Sequence, residues 1–499
     1  MRSSSERFGL IINFTDSLPA LILLQKFFAF QPFEITMQPI RAGERIYLIL
    51  DHHRKWIRTA NPTQQFHSDK GFIDFKDVIG KHPGQTFLLS PYHRKVAILR
   101  PLLSDFIFHM KRQSQIIYPE DIGSILIYGN ARPNSQILEA GTGSGTVTGI
   151  LANFSQPDGH IYSFDIRESA LKQAKKNIEH MGMKEHTTVD LGNILEKDYN
   201  FENINFIMLD LATPWLAVPR VKKYLDPVKG RICLFSPTLE QVKKNINALI
   251  QNQFQWYKTF ELMKRFYQVK QNATRPLGRM VGHTGYMTYG AFSSVDKKLQ
   301  EIGFDDLYSP ENLGNLFIYA QFTLDRKILI LTKDRSQLQQ ILTLWFQNTN
   351  NITFQDISNN EDMEDFSEVA ENQDTSEFDI ICLNNCYSEP LFLKSIGILR
   401  NGGVFCGIHS DLEHAKQFHL TLHKANFYDL STSEIIKREI KVDLAKGITY
   451  SQILPNYGFI TFGRKVKDNI QIKEGPPIKP EKVDMILDVG RNMERGNII

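Results

Sequence analysis

The stretch Glu139-Ala140-Gly141-Thr142-Gly143-Ser144-Gly145 constrains this 499-residue chain more than any other. An apolar run (Ile137, Leu138) precedes it, and a helix-like segment (Val147, Ile150, Leu151) follows. A strand, a glycine turn and a helix N-terminus together make a nucleotide-sized site, because only glycine lets backbone approach a ligand so closely. A dinucleotide fingerprint wants glycine at its first, third and sixth positions. Here the glycines stand at 141, 143 and 145, the sixth position is Thr146, and Glu139 lies two residues before the first glycine.

Three further strand ends support the loop. Asp165 closes the run Ile161-Tyr162-Ser163-Phe164, about 20 residues on, where an acid can take ribose hydroxyls. It also precedes the helical Ala170–Ile178 segment and can serve as a helix cap instead. Asn193 follows Thr188-Val189-Asp190-Leu191 and reads either as a partner for an adenine edge or as a turn residue. Asp210 ends the strand Phe206-Ile207-Met208-Leu209 and opens Leu211-Ala212-Thr213-Pro214-Trp215. Ligands in open α/β sheets bind beyond the carboxyl ends of the strands, which points Asp210 into the crevice. The alternative for Asp210 is a solvated carboxylate at a strand end.

The E-x-G-x-G-x-G form resembles the first motif of S-adenosylmethionine (SAM)-dependent methyltransferases. An acid followed by Pro214 and Trp215 resembles the signature of enzymes that methylate a ring or exocyclic nitrogen. Five segments occur in one order: Gln115-Ile116-Ile117-Tyr118-Pro119-Glu120-Asp121, the glycine loop, Leu209–Trp215, Ser236-Pro237 with Gln241, and Gly282-His283-Thr284-Gly285-Tyr286. Their order and spacing resemble the tRNA (adenine-N1)-methyltransferase family, which modifies position 58 of the T-loop, over roughly residues 40–292.

The resemblance implies a fold of class α/β: a Rossmann-like SAM-dependent methyltransferase domain at 99–292, preceded by a small β-domain at 39–98. It implies SAM as cofactor. Ser144, Gly145 and Thr146 would line its methionine part, Ile117 would lie against it, and Glu139, Gly141, Gly143, Asp165, Asn193 and Asp210 would complete the cofactor set. Where some relatives carry an arginine just past the second acid, this chain has Ala170, with Arg167 as the nearest replacement. Adenine N1 carries a lone pair and no proton, so catalysis needs an extracted, aligned base and compensation for its developing positive charge. Asp210 is the residue for that charge, and Tyr118 is either a stacking surface for the base or a core tyrosine. Gln115, Lys111, Arg112, Arg275 and His283 are the expected RNA contacts, His283 facing RNA or serving the fold rather than carrying protons.

Net charge is only +3, so any RNA affinity has to reside in local clusters such as Lys111-Arg112, Lys264-Arg265 and Arg275 with Arg279. The four cysteines (233, 382, 386, 406) lack zinc spacing, and no metal is expected. No stretch reads as a membrane span or a signal peptide, and a reduced, cytoplasmic setting is the expectation. Residues 1–38 read as an N-terminal extension, 293–324 as a linker, and 467–499 as a flexible tail. Between the last two, residues 325–466 alternate strands with helical stretches and read as a second, degenerate Rossmann-like domain. Its first strand, Lys327–Leu331, runs into Thr332-Lys333-Asp334-Arg335-Ser336, with no glycine to admit a cofactor. Leu430–Glu434, Arg438, Ile453-Leu454-Pro455 and Tyr457–Phe462 resemble the non-catalytic partner subunit of the eukaryotic two-subunit enzyme. The expected product is N1-methyladenosine at position 58 of the tRNA T-loop, with position 57 left open. The expected assembly is a homo-oligomer, either a tetramer or a dimer of fused chains. A SAM-dependent methyltransferase acting on a protein or small molecule is the competing reading, and a non-enzymatic RNA-binding protein is a third.

Overall fold

Alternation along the first strands explains how the small N-terminal domain joins the rest. In β1 (Arg45–Ile49), Ile46 and Leu48 point into one core with Val96 and Ile98, while Tyr47 and Ile49 point into another with Ala97 and Leu99. Successive strand residues face opposite sides, so both faces of this sheet are buried. The domain holds an antiparallel sheet in the order β2 (Lys55–Thr59), β1, β6 (Arg94–Leu99), β5 (Gln85–Leu89), and a hairpin of β3 (Gln65–Ser68) with β4 (Gly71–Asp74). The computed structural model describes residues 38–51, 53–112, 115–291, 309–332, 335–346, 349–357, 378–444, 447–450 and 458–466. All the strands and helices named below belong to the unit Ile40–Ile499. Residues 1–37 of the N-terminal extension, residues 358–377, the tail 467–499, and Ile453-Leu454-Pro455 with Tyr457 lie outside the described residues.

Helix α1 (Leu103–His109) leads into α2 (Pro119–Gly129), which starts with proline at its first position and ends on left-handed Asn130. Then come β7 (Gln136–Ala140), α3 (Thr146–Ser155), β8 (His160–Asp165), α4 (Glu168–His180), β9 (Thr187–Leu191), β10 (Phe206–Leu209), α5 (Pro214–Val221), β11 (Arg231–Ser236), α6 (Leu239–Gln251), β12 (Trp256–Gln268), the short β13 (Arg275–Pro276) and β14 (Tyr286–Ala291). The sheet order is β9-β8-β7-β10-β11-β14-β12, with β14 antiparallel to both its neighbours. Strand order reverses between β7 and β10, and that is where such sheets open a crevice. The α/β reading and the strand positions expected around the glycine loop hold.

The second half repeats this plan. Helix α7 (Pro310–Ala320) falls partly inside the span read as linker, and it crosses α2. It is followed by β15 (Ile328–Thr332), α8 (Arg335–Phe346), β16 (Ile352–Asp356), β17 (Phe378–Asn384), α9 (Glu389–Ile398), β18 (Leu399–His409), α10 (Leu412–Lys424), β19 (Tyr428–Asp443), β20 (Gly447–Tyr450) and β21 (Phe459–Arg464). Their order is β16-β15-β17-β18-β21-β19, the order of the first half with nothing among the described residues at the place of β9. Strands β12 and β19 pair antiparallel from Thr259↔Ile440 to Phe266↔Ser433, so one continuous sheet runs through both halves. The two repeats therefore meet through equivalent strands and equivalent helices, the self-complementary geometry of a two-fold dimer held within one chain.

The repeat is visible in the residues of the seam. Pro119-Glu120, Gly123 and Ile127-Tyr128 recur as Pro310-Glu311, Gly314 and Ile318-Tyr319. Glu261-x-x-Lys264-Arg265 recurs as Glu434-x-x-Lys437-Arg438. Lys437 lies 3.1 Å from the fully buried Glu311, and Lys264 sits 3.6 Å from the centre of the Tyr319 ring. Lys264 and Arg265, expected as a surface basic cluster, instead belong to this seam: Lys264 is buried, and Arg265 pairs with Glu434 at 3.2 Å. The second half also holds the N-terminal elements, through Lys55 on Asp429 and through the buried Arg464 on Asp105 at 2.8 Å.

Candidate active site

Gly141 leaves β7 at φ +97°, and a Cβ there would lie 2.0 Å from the backbone oxygen of Asp210. The glycine is thus required by the close approach of the two strand ends, which Asp210 N also fastens to Ala140 O at 2.9 Å. Gly143 and Gly145 follow at φ +55° and +75°, Gly145 packing on Ala174 of α4 and opening α3. Three left-handed residues in five fold the loop into a tight cradle, held by Gly141 N and Thr142 N on Phe164 O and by Gly145 N on Thr142 O.

Glu139 props this cradle from beneath. Its carboxylate accepts hydrogen bonds from Thr148 Oγ1 (2.5 Å) and Ser163 Oγ (2.7 Å), and Ser163 in turn meets Thr142 Oγ1 at 2.7 Å. Burial raises its pKa to about 7, against the pull of both hydroxyls. Asp165 stands at the rim. It accepts from Gly143 N at 3.0 Å and from Arg167 through the backbone N (2.9 Å), Nε and Nη2. Burial would raise its pKa, but the Arg167 and Gly143 hydrogen bonds hold it below the usual carboxylate range. The cap position of α4 is Arg167, not Asp165, so the carboxylate braces the loop rather than the helix.

Asp210 is exposed to solvent at the end of β10 yet closely surrounded by protein. That surrounding protein pushes its pKa up to about 6. Arg167 lowers that value and Asp165 raises it. Asn193 spends its side-chain oxygen on Leu195 N at 3.0 Å in a turn, which leaves its amide group for a ligand. Ser144 and Thr146 are buried, their hydroxyls 3.1 Å apart, and Thr146 donates to Met110 Sδ at 3.0 Å. Ile117 is buried, and Tyr118 sits half-buried at the cap position of α2. Burial, then Glu120, raises the pKa of the Tyr118 phenol, with Arg112 opposing.

Among the expected RNA contacts, Gln115, Lys111 and Arg275 are exposed, whereas Arg112 is half-buried and donates to Ile107 O at 2.9 Å. His283 does not present its nitrogens outward: Nδ1 lies 2.8 Å from Glu261 Oε2 and Nε2 lies 3.0 Å from Pro237 O.

Two contributors escaped the sequence. Asn177, buried in α4, donates to Ser144 O (2.8 Å) and Lys111 O (2.9 Å), pinning the loop to the segment after α1. Its signal was a lone amide within the apolar stripe Ala170, Leu171, Ala174, Ile178. Ile166 is 68% exposed directly after Asp165, an apolar face at the rim. Among the described residues the second half shows no such site. In register, Thr332 stands where Gly141 does, Ile330 where Glu139 does and Asn384 where Asp210 does, and Asn384 Nδ2 donates to Thr332 Oγ1 at 2.7 Å across the strand ends.

This fold and site define a Rossmann-like methyltransferase. Residues 96–275 match the family model described as tRNA methyltransferase complex GCD14 subunit, and residues 39–86 match TrmI-like N-terminal. The tRNA (adenine(57)-N(1)/adenine(58)-N(1))-methyltransferase TrmI of Methanocaldococcus jannaschii is 31% identical over 271 residues, 48% of this chain and 93% of that protein. The tRNA (adenine(58)-N(1))-methyltransferase TrmI of Thermus thermophilus is 27% identical over 222 residues, 44% of this chain and 86% of that protein. The crystal structure of tRNA (m1A58) methyltransferase TrmI from Aquifex aeolicus aligns with a TM-score of 0.43 and 27% identity, covering 50% of this chain and 98% of that one. The chain belongs to the tRNA (adenine-N1)-methyltransferase family. No described helix is long and apolar enough to cross a membrane, and no group among the described residues is arranged to hold a metal ion.

Proposed function

We propose that this protein is a SAM-dependent tRNA methyltransferase that forms N1-methyladenosine at position 58 of the T-loop. The observation that carries the reading is Asp210, solvent-open at the strand-order reversal, beside a glycine cradle that a single Cβ would obstruct. The residues present fit the cofactor: the cradle of Gly141, Gly143 and Gly145 suits a close-lying ligand, Asp165 suits ribose hydroxyls, and Ile166 offers an apolar face to a flat base. SAM, when bound, supplies an electrophilic sulfonium methyl group. Asp210 accepts a hydrogen bond from the N6 amino group of the target adenine and offsets the charge that grows on its ring. Tyr118 stacks on the extruded base, a contact worth about 1–3 kcal/mol. Lys111, Gln115 and Arg275 meet the RNA on the exposed side, and His283 contributes only its ring face there. Because one chain already contains both halves of a two-fold pair, the assembly is a dimer of chains rather than a tetramer.

Incubation of the full chain with labelled SAM and an unmodified tRNA transcript, followed by reverse transcription, is expected to give a stop at adenosine 58. A second stop at 57 would widen the specificity, and label transfer to protein or small molecules but not to tRNA would overturn the reading. Gly141→Ala is expected to weaken S-adenosylhomocysteine binding at least tenfold in calorimetry. Its Cβ requires Asp210 O to move, and its positive φ costs roughly 1–3 kcal/mol. Unchanged affinity would show that the cofactor lies elsewhere.

A further inference from the structure

We infer that Arg438, in the second half, is a positioning residue for the chemistry of the first half. This rests on the methyl-transfer reading above. The antiparallel register of β12 and β19 sets Glu261 opposite Arg438 and, by the internal two-fold, Arg265 opposite Glu434. Both ion pairs form: Arg438 Nε donates to Glu261 Oε1 at 2.6 Å with Nη2 alongside, and Arg265 Nη1 lies 3.2 Å from Glu434 Oε1. The pairs are alike in chemistry and in exposure, with Arg438 and Arg265 side chains 32% and 38% accessible. They differ in what lies behind each carboxylate.

Glu434 accepts a hydrogen bond from Tyr267 OH at 2.9 Å, within the seam. Glu261, its side chain 1% exposed, gives its other oxygen to His283. His283 reaches Pro237 O, at the carboxyl end of β11. The next residue, Thr238, forms a capping box with Gln241, and Gln241 Nε2 donates to Ala212 O at 3.0 Å, two residues from Asp210. A path of polar contacts thus runs from the second half to the strand end that carries the catalytic carboxylate. In the sequence, the counterpart of His283 is Asn456, which has no imidazole. The buried Glu261 carboxylate has Arg438 on one oxygen and His283 on the other. Removing Arg438 leaves one oxygen buried and uncompensated, which favours water entry and a shift of the His283 loop.

The test compares Arg438→Ala with Arg265→Ala in the full chain, measuring kcat, KM for tRNA, thermal stability and hydrogen exchange over residues 278–288. Both variants are expected to lower the melting temperature, Arg438→Ala the more, since it takes two donors from the more deeply buried carboxylate. Only Arg438→Ala is expected to lower kcat, by about 10- to 100-fold as for a displaced catalytic geometry, with KM nearly unchanged. It alone is expected to speed exchange over 278–288. Glu261→Gln should reproduce its effect, and the double variant should be no worse than either single one. Equal kcat losses in both arginine variants would reduce Arg438 to a structural contact. Should the wild-type chain transfer no methyl group, the functional reading fails, and exchange still decides the relay: unchanged protection in Arg438→Ala overturns it.

Discussion

Replacing Asp210 by alanine is expected to lower kcat for tRNA methylation by about 10³-fold while leaving the fold intact. A charge pair at ~4 Å in an effective dielectric of ~20 is worth roughly 4 kcal/mol, which corresponds to about that factor in rate. The loss should fall on kcat rather than on KM, because the ring charge that Asp210 offsets develops only as the methyl group transfers. Asp210→Asn keeps an acceptor for N6 without the charge and should fall between wild type and alanine. Acidity gives an independent check. The carboxyl titrates near pH 6, raised first by its protein surroundings, and only its ionised form balances a cationic ring. Log kcat/KM, which reports the free enzyme, should therefore rise with pH up to about 6 and then level off. Arg167 stabilises the ionised form, so Arg167→Ala should move this limb to higher pH. Both aspartate variants should abolish it. A kcat within threefold of wild type in Asp210→Ala, measured with labelled SAM, would remove the carboxylate from the mechanism.

The glycine loop and the strand ends were legible because their chemistry is local. Gly141 through Gly145, Asp165 and Asp210 each stand next to an apolar run that reads as a strand, and the sheet brings those ends together wherever the strands form. What a residue spends on its own protein was not legible. Glu139 gives one oxygen to two hydroxyls beneath the loop, Asn193 gives its oxygen to a turn, and both nitrogens of His283 are engaged inside the chain. The seam was hidden for a related reason. Glu261 and Lys264 are charged residues on opposite faces of β12, which paired with β19 is buried on both sides there. Pairing between strands so distant in sequence leaves no periodicity in either one alone. In the second half Thr332 replaces the glycine loop, whereas the repeat survives in the contact surfaces.

That seam gives the largest expected effect on stability. Helices α2 and α7 cross with backbone against backbone: a Cβ on Gly123 would lie 2.5 Å from the carbonyl carbon of Gly314, and one on Gly314 would lie 2.4 Å from that of Gly123. Neither obstacle is a flexible side chain, so the helices have to separate. Separation strains the packing of Ile122, Leu126, Leu313 and Phe317, which belong to one core shared by both halves, and it loosens the buried Lys437–Glu311 pair. Overpacking of this kind costs about 1–3 kcal/mol, and a broken buried ion pair about 3–5 kcal/mol. Gly123→Ala and Gly314→Ala are each expected to destabilise the chain at the lower end of that range, by similar amounts because the contact is mutual. Gly314→Val is expected to reach the upper end. The double alanine variant should fall short of the sum of the two, since helices moved apart by one methyl group already have room for the other. Denaturant unfolding of the four chains measures this directly. Strict additivity, or a loss confined to one of the two glycines, would mean that α2 and α7 do not touch where their glycines meet, and the two-fold arrangement of the repeats would have to be abandoned.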